Sequence, residues 1–218
     1  MQYIFAAACM FFLCFFPDKI IKWKKKEIKE DISKKNIKLF TVINFIVTAC
    51  FLVSECITED AMLKMTLTLL TITTTGIISI VDIKARIIPN ILLLFILILS
   101  LILHILYEPI QSLVPDFVMM LMACLGLCSV VSIAGQIVGA FKGSMGAGDI
   151  KYIAVIAFSL GTSGRFIYAV IGMAVSYFVV IIPLMILKKM GRYSYIPFGP
   201  FISFGFMFSL SSLISLFH

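Results

Sequence analysis

Two aspartates stand out in a chain otherwise poor in charge. Asp82 opens the stretch Asp82-Ile-Lys-Ala-Arg86-Ile-Ile-Pro89-Asn90, and Asp149 closes Met145-Gly-Ala-Gly-Asp149. Each sits where a long apolar run meets a short basic loop. Two carboxyls brought close together cannot both ionise, so they share a proton. The ionised partner takes a proton from water, and the protonated one donates to the carbonyl under attack. This is how aspartates hydrolyse an amide. The pair titrates as a unit, so the sequence assigns the role of base to neither residue.

Such chemistry requires elements that bring both residues to one depth. The chain has 218 residues, 61% hydrophobic and 13% charged, with mean hydropathy +1.13. Soluble domains are nearer about 45–50% apolar and about 25% charged. The runs are too long, and too lacking in alternation, for a barrel. The reading is an all-α polytopic transmembrane bundle of about eight helices. Its apolar runs are 2–16, 39–54, 62–81, 91–107, 117–140, 150–160, 166–187 and 196–217. The first reads as a short anchor rather than a signal peptide, because no basic segment precedes it. Residues 1–38 form the anchor and a basic loop, and 39–218 the transmembrane core.

Charge sets the orientation. Eight spans that start outside put the loops 17–38, 82–90, 141–151 and 188–195 on one side, and these hold 16 of the 18 Lys and Arg. Glu55, Glu59, Asp60, Glu108 and Asp116 fall on the other side, with only Lys64 and Arg165 as positives. The positive-inside rule then gives an N-out, C-out protein with both aspartates at the cytoplasmic boundary. The net charge of +7 thus reports topology, and nucleic acid is not an expected partner. Residues 17–38 read as a basic amphipathic helix, with Ile20, Ile21, Trp23, Ile28 and Ile32 available to the lipid interface.

The surroundings suit the chemistry. Gly146 and Gly148 allow another backbone to approach closely, and Asp149 in the first turn of its helix is favoured by the helix N-terminus. Lys151 reads as a cytoplasmic anchor that could tune the pair's charge. Pro89 and Asn90 mark the start of the fourth helix, with proline suited to a first turn. The plain alternative for either aspartate is a salt bridge to Lys84, Arg86 or Lys151, and for the glycines tight packing. Hydroxyls of the Thr-rich third run are expected to bond back to their own helix. The six cysteines lie in or beside apolar segments without paired C-x-x-C spacing, so no zinc site is expected. His104 and His218 fall on the outer side and are assigned no role.

These motifs resemble those of the type IV prepilin peptidases, integral-membrane aspartic proteases of the GxGD group. Met145-Gly-Ala-Gly-Asp149-Ile-Lys151 is similar to their GxGDxK motif. Asp82 ahead of Ile88-Pro89-Asn90 is similar to their first motif, and Ile196-Pro-Phe-Gly-Pro200-Phe to their last-helix signature. The resemblance spans residues 82–200, in family order. It implies catalysis by Asp82 and Asp149, with Gly146, Gly148 and Lys151 in supporting positions. The implied substrate is a type IV prepilin or pilin-like precursor, cut at the cytoplasmic face of a bacterial inner membrane. Many members carry a larger cytoplasmic domain with two C-x-x-C pairs and also methylate the new terminus. Here that region is only residues 17–38 and holds no cysteine, so no metal or cofactor is expected. The alternatives are a peptidase that also methylates without the cysteine cluster, a transporter with two gating carboxylates, and a scaffold for pilus assembly.

Overall fold

The Thr-rich run forms the axis of the molecule. In the computed structural model, which describes residues 2–23, 34–58, 62–137, 146–162, 164–186 and 197–210, helix α3 (Met62–Ala85) packs against four other helices. These are α1 (Gln2–Trp23), α2 (Lys34–Thr58), α4 (Asn90–Tyr107) and α8 (Gly199–Leu210). Its threonine hydroxyls find partners inside the helix itself: Thr68, Thr71, Thr73 and Thr74 each donate to the carbonyl four residues back. Threonine hydroxyls can therefore occupy an apolar centre without being left unpaired.

The remaining helices are α5 (Leu113–Ile137), entered through a single 3-10 turn at Ile110–Ser112, α6 (Ala147–Leu160) and α7 (Arg165–Ile186). Helix α6 packs between α5 and α4 and also touches α7 and α8. The described residues contain eight α-helices and no strand, as expected of an all-α bundle. Four stretches are long and apolar enough to cross a membrane: Met62–Ala85, Asn90–Tyr107, Ile110–Val130 and Arg165–Pro183. They divide by burial: 89% of the α3 window is inside the protein against 6% for Ile110–Val130. Thus α3 is core, and α5 presents Leu121, Met122 and Leu125 outward.

Three boundaries differ from the sequence reading. Helix α1 does not stop at Pro17 but runs through it to Trp23. Ile20 and Ile21 are buried in the core instead of resting at the interface. The reason is electrostatic: Asp18 meets Lys84 of α3 at 2.6 Å, so the first charged turn can stay on the bundle. Ile28 and Ile32 lie outside the described residues. Helix α3 continues past Asp82 to Ala85, so that aspartate sits inside the last turn rather than at its end. Pro89 is the residue before α4, not its first helical residue, and its carbonyl accepts from the N–H groups of Leu92 and Leu93.

Helices α7 and α8 approach most closely where glycines face each other. A Cβ on Gly172 would lie 3.2 Å from the Cα of Gly205, and one on Gly205 would run into the Ala169 carbonyl and stand 2.9 Å from the Met173 nitrogen. Backbone cannot yield as a side chain can. Gly205→Ala is therefore expected to destabilise the bundle by about 1–3 kcal/mol, read as a lower unfolding temperature in detergent.

Candidate active site

The two aspartates come from different helix ends that meet at one end of the bundle. Asp82 is 5% exposed, in the last turn of α3. Its Oδ2 accepts a hydrogen bond from the Gly199 N–H at 2.8 Å. Gly199 is the first residue of α8, whose opening carbonyl, that of Phe198, accepts from Phe201 and Ile202. A first-turn N–H has no partner within its own helix, and here it points at the carboxylate. Glycine is required for this approach, because a Cβ on Gly199 would lie 2.8 Å from Oδ2 of Asp82.

Asp149 is the third residue of α6. It folds back so that Oδ2 accepts from the Gly146 N–H at 2.9 Å, while the Gly146 carbonyl accepts from Asp149 and Ile150. One of the unpaired N-terminal donors of the helix is thereby satisfied, and the carboxylate is held at the positive end of the helix dipole. Gly148 lies against the segment that follows α3: a Cβ there would be 3.1 Å from Cβ of Ile88. Ile88 precedes Pro89, which is buried, and Asn90 is exposed at the start of α4. The Ile-Pro-Asn turn thus acts as a wall against which α6 is seated.

Asp82 and Asp149 lie close enough for their charges to interact, and Arg86 also acts on Asp82. Arg86 ends α3 with φ +52, its N–H donating to the Asp82 carbonyl at 2.8 Å. That left-handed position usually belongs to glycine, and a side chain there costs roughly 1–2 kcal/mol. Of the possible salt-bridge partners, Lys84 is committed to Asp18 and Lys151 is exposed. Oδ2 of each aspartate accepts from a glycine N–H.

Sequence reasoning missed the tie that sets these helix ends in register. Tyr152, fully buried and one turn beyond Asp149, has its hydroxyl 2.8 Å from Oγ of Ser203 on α8. Ser203 donates to the Thr75 carbonyl of α3 at 3.1 Å. Its single proton is spent there, so Tyr152 is the donor to Ser203. The chain Tyr152–Ser203–Thr75 joins the three helices that supply Asp149, Gly199 and Asp82. Only the last-helix signature, which contains Gly199, hinted at a part for α8.

A family model described as the type IV leader peptidase family matches residues 69–187. The chain belongs to that family. The matched stretch holds Asp82, Pro89, Asn90, Gly146, Gly148, Asp149 and Lys151, and ends before α8. No curated protein and no solved structure matches the chain. By family this is a leader peptidase, and its apolar helices make it a multi-pass membrane protein. Within the leader peptidase, α8 lies beyond the matched residues yet donates the hydrogen bond to Asp82.

The tie in this leader peptidase has an asymmetry that can be measured. Ser203→Ala strands the Tyr152 hydroxyl in a fully buried place and should cost about 1–3 kcal/mol. Tyr152→Phe leaves Ser203 bonded to Thr75 and should cost about 1 kcal/mol. The double variant should therefore resemble Tyr152→Phe rather than the sum of the two losses. Ser79 is the internal control: its Oγ is buried without a partner among the described residues, so Ser79→Ala removes no hydrogen bond and should be nearly neutral. Thermal unfolding of the four variants in one detergent checks the order.

Proposed function

We propose that this protein is a membrane aspartic endopeptidase that removes the short basic leader from type IV prepilin or pilin-like precursors. In this reading Asp82 and Asp149 activate a water at the cytoplasmic membrane face. One observation carries it: two acidic side chains from separate helix ends are each held by the N–H of a glycine, with the charge of Asp149 acting on Asp82. The hydrogen-bonded glycines fix one oxygen of each carboxylate, and the shared charge keeps one proton on the pair. The ionised carboxyl would take the proton of the attacking water, and the other would polarise the scissile carbonyl. Gly148 is seated against Ile88, and the exposed Gly146 is where an extended peptide backbone would approach Asp149. Membership of the leader peptidase family supports the precursor class.

The cytoplasmic side follows from charge. Asp18–Lys84, Gly148–Ile88 and Gly199–Asp82 are contacts at one end of the bundle, the end at which Lys84, Arg86 and Lys151 lie. The positive-inside rule puts that end in the cytoplasm, in a bacterium the inner face of the inner membrane.

The test is cleavage. Membranes carrying the protein are incubated with a prepilin-like precursor, and the mature product is weighed by mass spectrometry. Loss of the leader mass supports the reading. An extra methyl group on the new terminus would add N-methylation, an activity otherwise left out of the proposal. A precursor that stays whole across several pilin-like substrates would sink it in favour of a transporter or scaffold.

A further inference from the structure

The opposite end of the bundle holds a second polar cluster, formed by His104 and Glu108 at the end of α4 and Asp116 in the first turn of α5. Nε2 of His104 lies 2.9 Å from Oδ2 of Asp116 and 3.5 Å from Oε2 of Glu108. One donor atom from each of the three residues falls within 4.8 Å of the others. We propose that these three side chains form a binding site for a first-row divalent cation, zinc fitting best.

Three features support this. The first is the donor set. Two carboxylates converge on one imidazole nitrogen, which carries at most one proton. His104 is 4% and Asp116 1% exposed, while Glu108 is half-exposed. Two carboxyl groups facing one imidazole nitrogen make a set rich in lone pairs, of the kind a dication binds. The second is spacing. Four-coordinate zinc holds nitrogen and oxygen ligands at about 2.0–2.2 Å, so ligand atoms lie about 3.2–3.6 Å apart. The His104 to Glu108 gap of 3.5 Å already matches, and the 2.9 Å hydrogen-bond contact of His104 with Asp116 must open by a few tenths of an ångström. The carboxylate of Glu108 is half-exposed and can swing to close the remaining edge, and its outward side leaves the fourth position to water. One imidazole with two carboxylates also selects for a transition ion over calcium or magnesium, which take oxygen alone.

The third is the set of contacts behind the ligands. Oδ1 of Asp116 accepts the Thr162 N–H at 2.6 Å, which turns Oδ2 toward His104. The imidazole stacks on Phe158 of α6, with ring centroids 5.3 Å apart and planes 15° from parallel. Gly161, with φ +60, lets the α6–α7 turn wrap the carboxylate; a Cβ there would lie 2.6 Å from Oδ1 of Asp116. Ligands oriented by such outer contacts are characteristic of metal centres. The spacing in sequence, four residues and then eight, straddles a helix end and a turn, which is why His104 carried no signal in the sequence.

A bound ion would fasten the outer end of α4 to α5 and to the turn that ends α6, the helix whose other end carries Asp149. Its function is that of a clamp, and it stands apart from the peptidase reading. The experiment uses the full chain purified in detergent, stripped by a chelator, desalted and then titrated with Zn²⁺ alone. Retained zinc is measured by elemental analysis and unfolding temperature by a thermal ramp. Wild type is expected to retain one ion per chain and to unfold at a higher temperature when loaded. Glu108→Gln, whose side chain is half-exposed, should match stripped wild type in unfolding temperature. Its zinc affinity should fall at least about tenfold, and its zinc-dependent rise should vanish. His104→Gln provides the second variant. Cobalt(II) in place of zinc should give the intense visible bands of a four-coordinate site in wild type and lose them in Glu108→Gln. No retained zinc in wild type, or equal retention by Glu108→Gln, would overturn the proposal.

Discussion

Asp82→Asn and Asp149→Asn should each lower the rate of precursor cleavage on the order of 10³-fold or more. A side chain that moves a proton in the transition state contributes typically about 10²–10⁴-fold, and in the proposed mechanism neither carboxyl acts without the other. Asparagine keeps an oxygen where Oδ2 stands, so the Gly199 and Gly146 hydrogen bonds can persist and the fold is spared. What disappears is the ability to carry or release a proton. Residues that work as a unit lose their effect together, so the double variant should be no worse than the poorer single one. The comparison is made at matched membrane levels and matched unfolding temperatures. More than a tenth of wild-type rate in either variant would remove that residue from the chemistry.

Gly199→Ala should cost about 10²-fold in kcat while leaving KM nearly unchanged. The new Cβ would stand 2.8 Å from Oδ2, 3.0 Å from Cβ and 3.1 Å from Cγ of Asp82. The carboxylate must turn away from the Gly199 N–H, or the start of α8 must shift. A misplacement of about 1 Å at a reacting group costs about 10²-fold. Gly148→Ala makes the useful contrast. Its Cβ would press on the Ile88 side chain at 3.1 Å, which can yield, so a loss of about tenfold or less is expected. Single-turnover cleavage across a range of precursor concentrations separates kcat from KM. Equal rates for Gly199→Ala and wild type would mean that Asp82 does not depend on α8 for its position.

The carboxylates were legible because charge in oil is rare and each sits in a recognisable turn. The helices were legible because nothing but a helix satisfies the backbone of a long apolar run in lipid. The unreadable parts depend on long-range meetings. Gly199 reaches Asp82 across 117 residues, Tyr152 reaches Ser203 across 51, and Ser203 reaches Thr75 across 128. No local pattern encodes such pairs. The end of α1 was misread for a related reason: the run turns polar at Pro17, but Asp18 has a partner 66 residues away in Lys84. His104 was passed over because a lone histidine on an apolar helix carries no hint of an Asp116 that only the next helix delivers.

Helix α6 has 14 residues between Gly146 and Gly161, a length of about 21 Å, while the hydrocarbon layer is about 30 Å thick. Its neighbour α5, with 25 residues, is about 38 Å long. Helices of unequal length side by side make a bundle with a dent, and water follows a dent. Asp149 at the foot of the short helix can stay hydrated while lying below the level of the surrounding headgroups. A peptide bond cut there must leave the aqueous phase only part of the way. Because α6 is enclosed by α4, α5, α7 and α8, the recess is walled by protein, and the length of the acyl chains outside does not set its depth.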